Sequence, residues 1–262
     1  MRELIIFFTI YSFLGWVCET IYCFIIDKKF TYRGFLYGPV CPIYGYGALI
    51  VTACLNRFKG NIVFVFLGGM ILASVLEYFT SFILEKLFNM KWWDYSKHKF
   101  NINGRVCLLN STMFGILSVI IIEVLDPIFK DLVSKIPHVI LYESAAIIAG
   151  IFIIDTIFTT AHLIHLKEHL AKIKNIKQDL KELNIRMESF AENEINKIKD
   201  EAIKRKDLSD HNNEKLEKLF VKIEGLKKAS KESSRILKAF PHAKYIKDHD
   251  RLKDLKSLIG GK

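Results

Sequence analysis

Tyr32-Arg-Gly-Phe-Leu-Tyr-Gly-Pro-Val-Cys-Pro-Ile-Tyr-Gly-Tyr-Gly-Ala48 separates two apolar runs, and its reading decides how the chain folds. It carries four glycines, two prolines, four tyrosines and one arginine, none of which a simple loop between membrane helices requires. Gly34, Gly38, Gly45 and Gly47 permit positive φ or close backbone approach. Pro39 and Pro42 remove amide donors and disfavour helix at the residues before them. Irregular backbone at membrane depth is tolerated only where protein or a wet cavity surrounds it. The stretch is therefore expected to be a re-entrant or half-buried turn that leads into a helix and walls a polar site.

Outward from it lie apolar runs at Leu4–Ile26, Cys41–Leu55, Ile62–Leu84, Val106–Leu125 and Val139–Ile164. About 20 apolar residues are needed for a helix to cross the hydrocarbon core. Four runs reach that length; the second is short and Gly-rich, and is expected to span with a broken start or only to dip in. The fold class expected is all-α, a polytopic membrane helix bundle of about five spans with a cytoplasmic helical tail. Charge divides the chain the same way. Residues 1–165 hold 13 Lys/Arg against 11 Asp/Glu, and residues 166–262 hold 25 against 17, within a total of +10. The expected division is a transmembrane domain at 1–165 and a charged helical or coiled-coil tail at 166–262.

The first run is longer than a signal-peptide core, lacks a small-residue cleavage site and contains Glu19, so no cleaved leader is expected. The five cysteines form no Cys-x-x-Cys pair, which argues against zinc and a disulfide framework. With five spans and a basic tail in the cytoplasm, loops 27–40 and 86–105 also face the cytoplasm. They carry eight Lys/Arg, against four in loops 56–61 and 126–138. The expected location is the cell membrane.

An internal repeat is suggested by Glu19-Thr-Ile-Tyr-Cys-Phe-Ile-Ile-Asp-Lys-Lys-Phe30 lying over Glu77-Tyr-Phe-Thr-Ser-Phe-Ile-Leu-Glu-Lys-Leu-Phe88. Gly38-Pro-Val-Cys41 then matches Gly104-Arg-Val-Cys107, and each opens the next apolar run. Two helical hairpins, 1–55 and 62–125, are expected as parallel repeats related about the membrane normal, followed by a fifth span at 139–165.

A carboxylate within hydrocarbon costs about 2.5–3.5 kcal/mol even on lenient scales, so Glu19 and Glu77 must be protonated, paired or facing water. Arg33 and Arg105, in the loops that follow, are the expected partners. Both carboxyls are expected at a shared cavity in the cytoplasmic half; the alternative is two buried salt bridges that only fix packing. Tyr37, Asp94, Asn103, Asn110 and Ser111 complete the candidate polar site. Trp92, Trp93 and Tyr95 read as interface anchors. Asp155, His162 and His169 share one helical face, but histidines leaving a membrane are expected to be solvated, so neither metal nor another cofactor is expected.

In the tail, Leu166, Leu170, Ile173, Leu180 and Met187 continue the last span, and Leu216, Leu219, Ile223 and Leu226 begin a second helical pattern. Lys alternates with Glu and Asp there, which favours a solvated face. Contact with membrane lipids fits this charge; nucleic acid does not, for want of a recognition motif.

Tyr11-Ser-Phe-Leu-Gly-Trp-Val-Cys-Glu19, Arg33-Gly-Phe-Leu-Tyr-Gly-Pro-Val-Cys-Pro-Ile-Tyr-Gly45, Trp93-Asp-Tyr-Ser96, Asn103-Gly-Arg-Val-Cys-Leu-Leu-Asn-Ser111 and Arg235-Ile-Leu-Lys-Ala-Phe-Pro241 cover most of the chain. On these motifs it resembles a family of bacterial membrane proteins labelled putative ABC-transporter type IV, or putative ABC transporter permease. The resemblance implies a permease-like transport component. No Gly-x4-Gly-Lys-(Ser/Thr) loop is present, so an ATPase would have to be a separate subunit that docks on loops 27–40 and 86–105 or on the tail. Five spans are few for a permease, so a homodimer is expected. Two other classes remain open. One is a lipid- or phosphate-binding protein or membrane enzyme, with Arg33, Arg105, Lys97 and His98 at a phosphate and Glu19, Glu77 or Asp94 as acid/base; no nucleophile motif accompanies it. The other is a scaffold that recruits partners through its tail.

Overall fold

The computed structural model describes residues 2–28, 30, 32–182, 218, 220–225, 234–240 and 243–245. The chain forms two compact units: Met1–Leu87 with Lys91–Thr159 and Ala239–His242, and Phe88–Met90 with Thr160–Lys238 and Ala243–Lys262.

In the first unit, α1 (Arg2–Asp27), α2 (Pro42–Leu55), α3 (Ile62–Phe88), α4 (Leu108–Ile120) and α5 (Asp126–Ser134) lead to α6 (His138–Glu182), whose start belongs here. Four stretches are long and apolar enough to cross a membrane: Arg2–Ile25, Ile62–Phe88, Leu108–Ser134 and His138–Leu166. No more than a third of the apolar part of any of them is buried within the protein, so lipid is the medium that fits their outer faces.

The expectation of about five helical spans is corrected to these four. The second run folds into a helix of only 14 residues, about 21 Å at 1.5 Å per residue and short of a ~30 Å core. Pro42 occupies its first turn, where a missing N–H costs nothing, and the extended Cys41 stands before it. The helix starts late because Gly38-Pro39 and Cys41-Pro42 forbid an earlier start. The rest of the return path is irregular backbone that lies against α1: the Cys41 N–H donates to Ser12 O at 2.9 Å.

Despite its length, α2 contributes to both buried clusters of the unit. Gly45, Ala48, Val51 and Leu55 form its buried stripe. Ala48 packs with Phe7, Tyr11, Val133 and Leu141, while Val51 and Leu55 pack with Val65 and Ile122. Between lipid-exposed helices, close packing of small residues replaces the hydrophobic effect as the associating force. Gly15 receives the Tyr44 side chain, and Gly45 receives Ser12 and Phe8, so α2 runs antiparallel to α1. Gly69 receives Ser118 and, further along α3, Ser74 bonds Ser111, so α4 runs antiparallel to α3; Gly115 receives Phe66.

The span that contains α4 and α5 has a π-turn at Ile121–Leu125. Its cause is Pro127, which lacks an N–H and crowds the preceding turn; the wider turn, closed by the Asp126 N–H on Ile121 O, absorbs the fault. Asp126 is buried there and pairs with Lys130 at 2.6 Å.

Loop 89–107 contains a small antiparallel hairpin of β1 (Asn101–Ile102) and β2 (Val106–Cys107). Asn103 and Gly104 at its tip both have positive φ, +54° and +69°, and Arg105 N–H closes the turn on Ile102 O at 3.0 Å. Asn-Gly is the residue pair such a turn favours.

In the second unit, Leu163, Leu166 and Ile223 are fully buried. Leu216, Leu219, Leu226, Met187 and the polar break Asp207–Asn213 lie outside the described residues.

Candidate functional site

A cavity of about 750 Å³ opens within the first unit. One face of each surrounding helix supplies its walls: Ala73, Leu76, Glu77, Thr80 and Leu84 from α3, and Asn110, Phe114, Leu117, Ser118 and Ile121 from the span that begins at α4. Both sets repeat at helical spacing, so each is a single stripe. Glu19 enters from α1, Tyr44 from α2, Arg33 and Cys41 from the first loop, and Asp94, Tyr95 and His98 from the second.

Glu77 is the most buried acid on this wall, 5% exposed. The Tyr95 hydroxyl donates to its Oε1 at 3.3 Å, and Asn110 lies beside the carboxylate. Its Oε2 is buried and has no hydrogen-bond partner among the described residues. Such an oxygen costs about 1–3 kcal/mol unless a donor or cation reaches it. Burial, and then the neighbouring Glu77, push the Tyr95 phenol well above its usual range. The phenol is therefore protonated at every physiological pH, as donation to Glu77 requires.

Glu19 accepts a long 3.5 Å contact from the Cys41 thiol. Arg33 is buried nearby and donates from Nη1 to Ala239 O at 2.8 Å. The next residue, Phe240, also lines the cavity and sets its ring edge-on to Trp92, centroids 4.9 Å apart.

The structure thus brings Glu19, Arg33, Glu77, Asp94 and Asn110 of the candidate set to one cavity. Tyr37, Asn103, Arg105 and Ser111 lie outside its wall. Arg105 does not partner Glu77, as the sequence had suggested. It forks onto Glu85 Oε2, at 2.7 Å from Nη2 and 3.1 Å from Nε, and its plane lies 5.3 Å from the Tyr78 ring centre. Glu85 is two helical turns beyond Glu77 and closer to the loop, so it captures the guanidinium first. Asn103 donates to the Tyr78 hydroxyl at 3.0 Å, and Ser111 pairs with Ser74 at 2.7 Å. These are contacts between neighbouring elements.

Asp155 has a role that its spacing from His162 did not suggest. Its Oδ1 accepts the Tyr37 N–H at 2.8 Å and its Oδ2 the Gly38 N–H at 2.7 Å, while Thr159 Oγ1 donates to it at 3.1 Å. A carboxylate midway along a spanning helix therefore ties down the irregular loop that walls the cavity. A Cβ on Gly38 would stand 3.3 Å from that carboxylate. Tyr44 and Tyr95 were also missed as wall residues. For Tyr44 the signal was its place two residues after Pro42, on the first turn of a helix that starts beside the site.

A family model described as Putative ABC-transporter type IV matches residues 6–160, more than half of the chain. No curated protein and no solved structure matches it.

Proposed function

Because the chain belongs to the putative ABC-transporter type IV family, we propose that it is the permease-like membrane component of a transport system and that the cavity beside Glu77 and Glu19 is its substrate site. The family and the four membrane-capable helices support a multi-pass membrane protein with a role in transport. The observation that carries the site is the buried Glu77 oxygen without a partner on the wall of a 750 Å³ cavity. Small-ligand sites have this size, ~300–1,000 Å³, and this makeup of apolar walls with a few placed polar groups.

In this reading, loops 27–40 and 86–105 and the tail face the cytoplasm, in line with their excess of Lys and Arg. The sequence has no P-loop, so energy would come from a separate ATPase subunit that docks on that surface. The two hairpins are taken as parallel repeats whose loops close the cavity from one side, and two copies would assemble as a homodimer.

The test is mass spectrometry of the protein held in native membrane patches, beside a Glu19→Gln/Glu77→Gln double variant. A discrete small molecule or an ATPase subunit that accompanies the wild type and is lost in the variant is the expected result. Identical spectra for the two would make the carboxyls structural and remove the site. A co-purified phospholipid bound through Arg33 would favour the lipid-binding alternative.

A further inference from the structure

The cavity is polar at one end and apolar at the other. Contacts along the helices give each lining residue its height. Ser74 bonds Ser111 at 2.7 Å and Gly69 receives Ser118, so facing positions on α3 and α4 move apart in number with distance from loop 89–107. Glu77 and Asn110 stand together toward the loop, and Ala73 and Phe114 lie deeper. On α2, Gly47 faces the Leu76 side chain, and Val51 packs farther down with Val65 and Ile122.

The polar side chains gather at the loop end: Glu19 and Arg33, Glu77 and Asn110, Asp94 and His98. Carboxyls stand there with a guanidinium, an imidazole and an amide, so this end holds donors and acceptors alike. The deep end is walled by Gly47, Val51, Ala73, Phe114, Leu117 and Ile121. Ser118 also lies there, and its hydroxyl donates to Phe114 O at 2.8 Å. From Asn110 to Ile121 the wall runs about 16 Å at 1.5 Å per residue. A small polar solute would suit the loop end and leave the deep end an apolar void that water does not fill. A hydrocarbon would fill the deep end and bury the polar groups against carbon. A molecule with a polar head and an apolar chain matches both ends.

We propose that the cavity binds an amphiphile, with its head at the loop end and its apolar chain along α2 and α4. The mixed wall selects a head that both donates and accepts hydrogen bonds, and not a bare anion or cation. The assignment rests on the reading of this cavity as a substrate site and names the class of molecule that site takes. A two-chain phospholipid of the bilayer and a free single-chain amphiphile share this chemistry.

The experiment is photolabelling of the full-length protein in phosphatidylcholine nanodiscs. Three probes carry a diazirine at the chain end: a lysophosphatidylethanolamine, a two-chain phosphatidylethanolamine and hexadecane. Adducts are mapped by mass spectrometry on one helix, α4, whose two faces serve as each other's control. Phe114 and Leu117 line the cavity, whereas Ile116 and Ile120 are exposed on the outer face. The ratio of cavity-face to outer-face labelling is expected to be about tenfold higher for an ethanolamine probe than for hexadecane, the scale of one polar group left unpaired. Ala73→Trp, which fills the deep end, is expected to remove the cavity-face label and keep that on Ile116 and Ile120. Labelling by the lysolipid alone identifies a free single-chain amphiphile; equal labelling by the two-chain probe identifies a lipid of the bilayer. Either supports the assignment. A ratio that hexadecane shares, a cavity-face label that survives Ala73→Trp, or no cavity-face label from any probe overturns it. The substrate-site reading falls separately, on identical spectra for the wild type and the Glu19→Gln/Glu77→Gln double variant.

Discussion

The two helical hairpins, α1–α2 and α3–α4, solve one packing problem alike and one loop problem differently. In each, a glycine on one helix receives a side chain from the other: Tyr44 on Gly15 and Phe66 on Gly115. The connections differ in what holds them. Loop 89–107 closes upon itself, with Tyr95 N–H on Gly104 O at 2.8 Å, Ser96 N–H on Asp94 at 3.1 Å and Trp93 Nε1 on Arg105 O at 3.0 Å. Among the described residues, loop 28–41 closes on itself through Tyr32 Oη on Tyr37 O at 3.0 Å and Val40 N–H on Gly38 O at 2.8 Å. Its amides at Tyr37 and Gly38 are held from outside by Asp155, more than a hundred residues away on α6. A loop satisfied by its own residues keeps its shape when the helices shift. A loop satisfied by a distant carboxylate is coupled to the helix that carries it. The first loop therefore ties the shape of the cavity to the position of α6, and the second serves as its fixed wall.

The largest effect expected from breaking this contrast is that of Asp155→Ala. It orphans two amides that bond to a carboxylate, which is worth about 3 kcal/mol for the pair. Cys41 and Cys107 are both buried and stand at the ends of the first and second loops. In a protein that retains only these two cysteines, Asp155→Ala should speed N-ethylmaleimide labelling at Cys41 and leave Cys107 unchanged. Equal acceleration at both would mean that Asp155 supports the whole unit and not one loop. Asp155→Asn, which keeps one acceptor oxygen, should fall between.

Gly45→Val addresses what the hairpins share. Its Cβ would overlap Ser12 Oγ and press the Phe8 ring; overpacking of this kind costs about 2 kcal/mol. Gly115→Val, which meets the Phe66 ring and its carbonyl at 3.0 Å, should lower the melting temperature by a similar amount. A much smaller loss at Gly45 would show that α2, though buried, is free to move.

Much of this arrangement was legible in the chain. Four apolar runs became four helices long and apolar enough to cross a membrane, because length and hydropathy are local properties. The Gly-Pro and Cys-Pro steps marked the irregular stretch before α2 for the same local reason. The partners of the charged groups were not legible. Arg105 had two acids within reach on α3, Glu77 and Glu85, and only the height of the loop in space decides between them. Asp155 was grouped with His162 by helical spacing, yet its partners are backbone amides, which leave no trace in side-chain patterns. Tyr95 carried the composition of an interface anchor, and its turn inward depends on Gly104 O holding its amide.

The finest comparison, and the smallest effect, lies in the backbone of the two loops. Gly34 has φ +115°, in a region that side chains do not reach without strain, and a Cβ there would stand 3.1 Å from Val40 O. Gly104 has φ +69°, in the left-handed region that other residues enter at modest cost, and its Cβ would meet Asp94 Oδ1 at 2.8 Å. Gly34→Ala should therefore cost about 2 kcal/mol and Gly104→Ala about 1 kcal/mol. The difference follows from what can yield: a carboxylate can turn aside, whereas a backbone carbonyl can move only with its loop. Thermal unfolding of the two variants in nanodiscs reads the order directly. The labelling assay adds a second axis, because Gly34→Ala should expose Cys41 while Gly104→Ala leaves Cys107 covered. The reverse order would mean that the first loop relaxes at little cost, and that its dependence on Asp155 is weaker than the two hydrogen bonds imply.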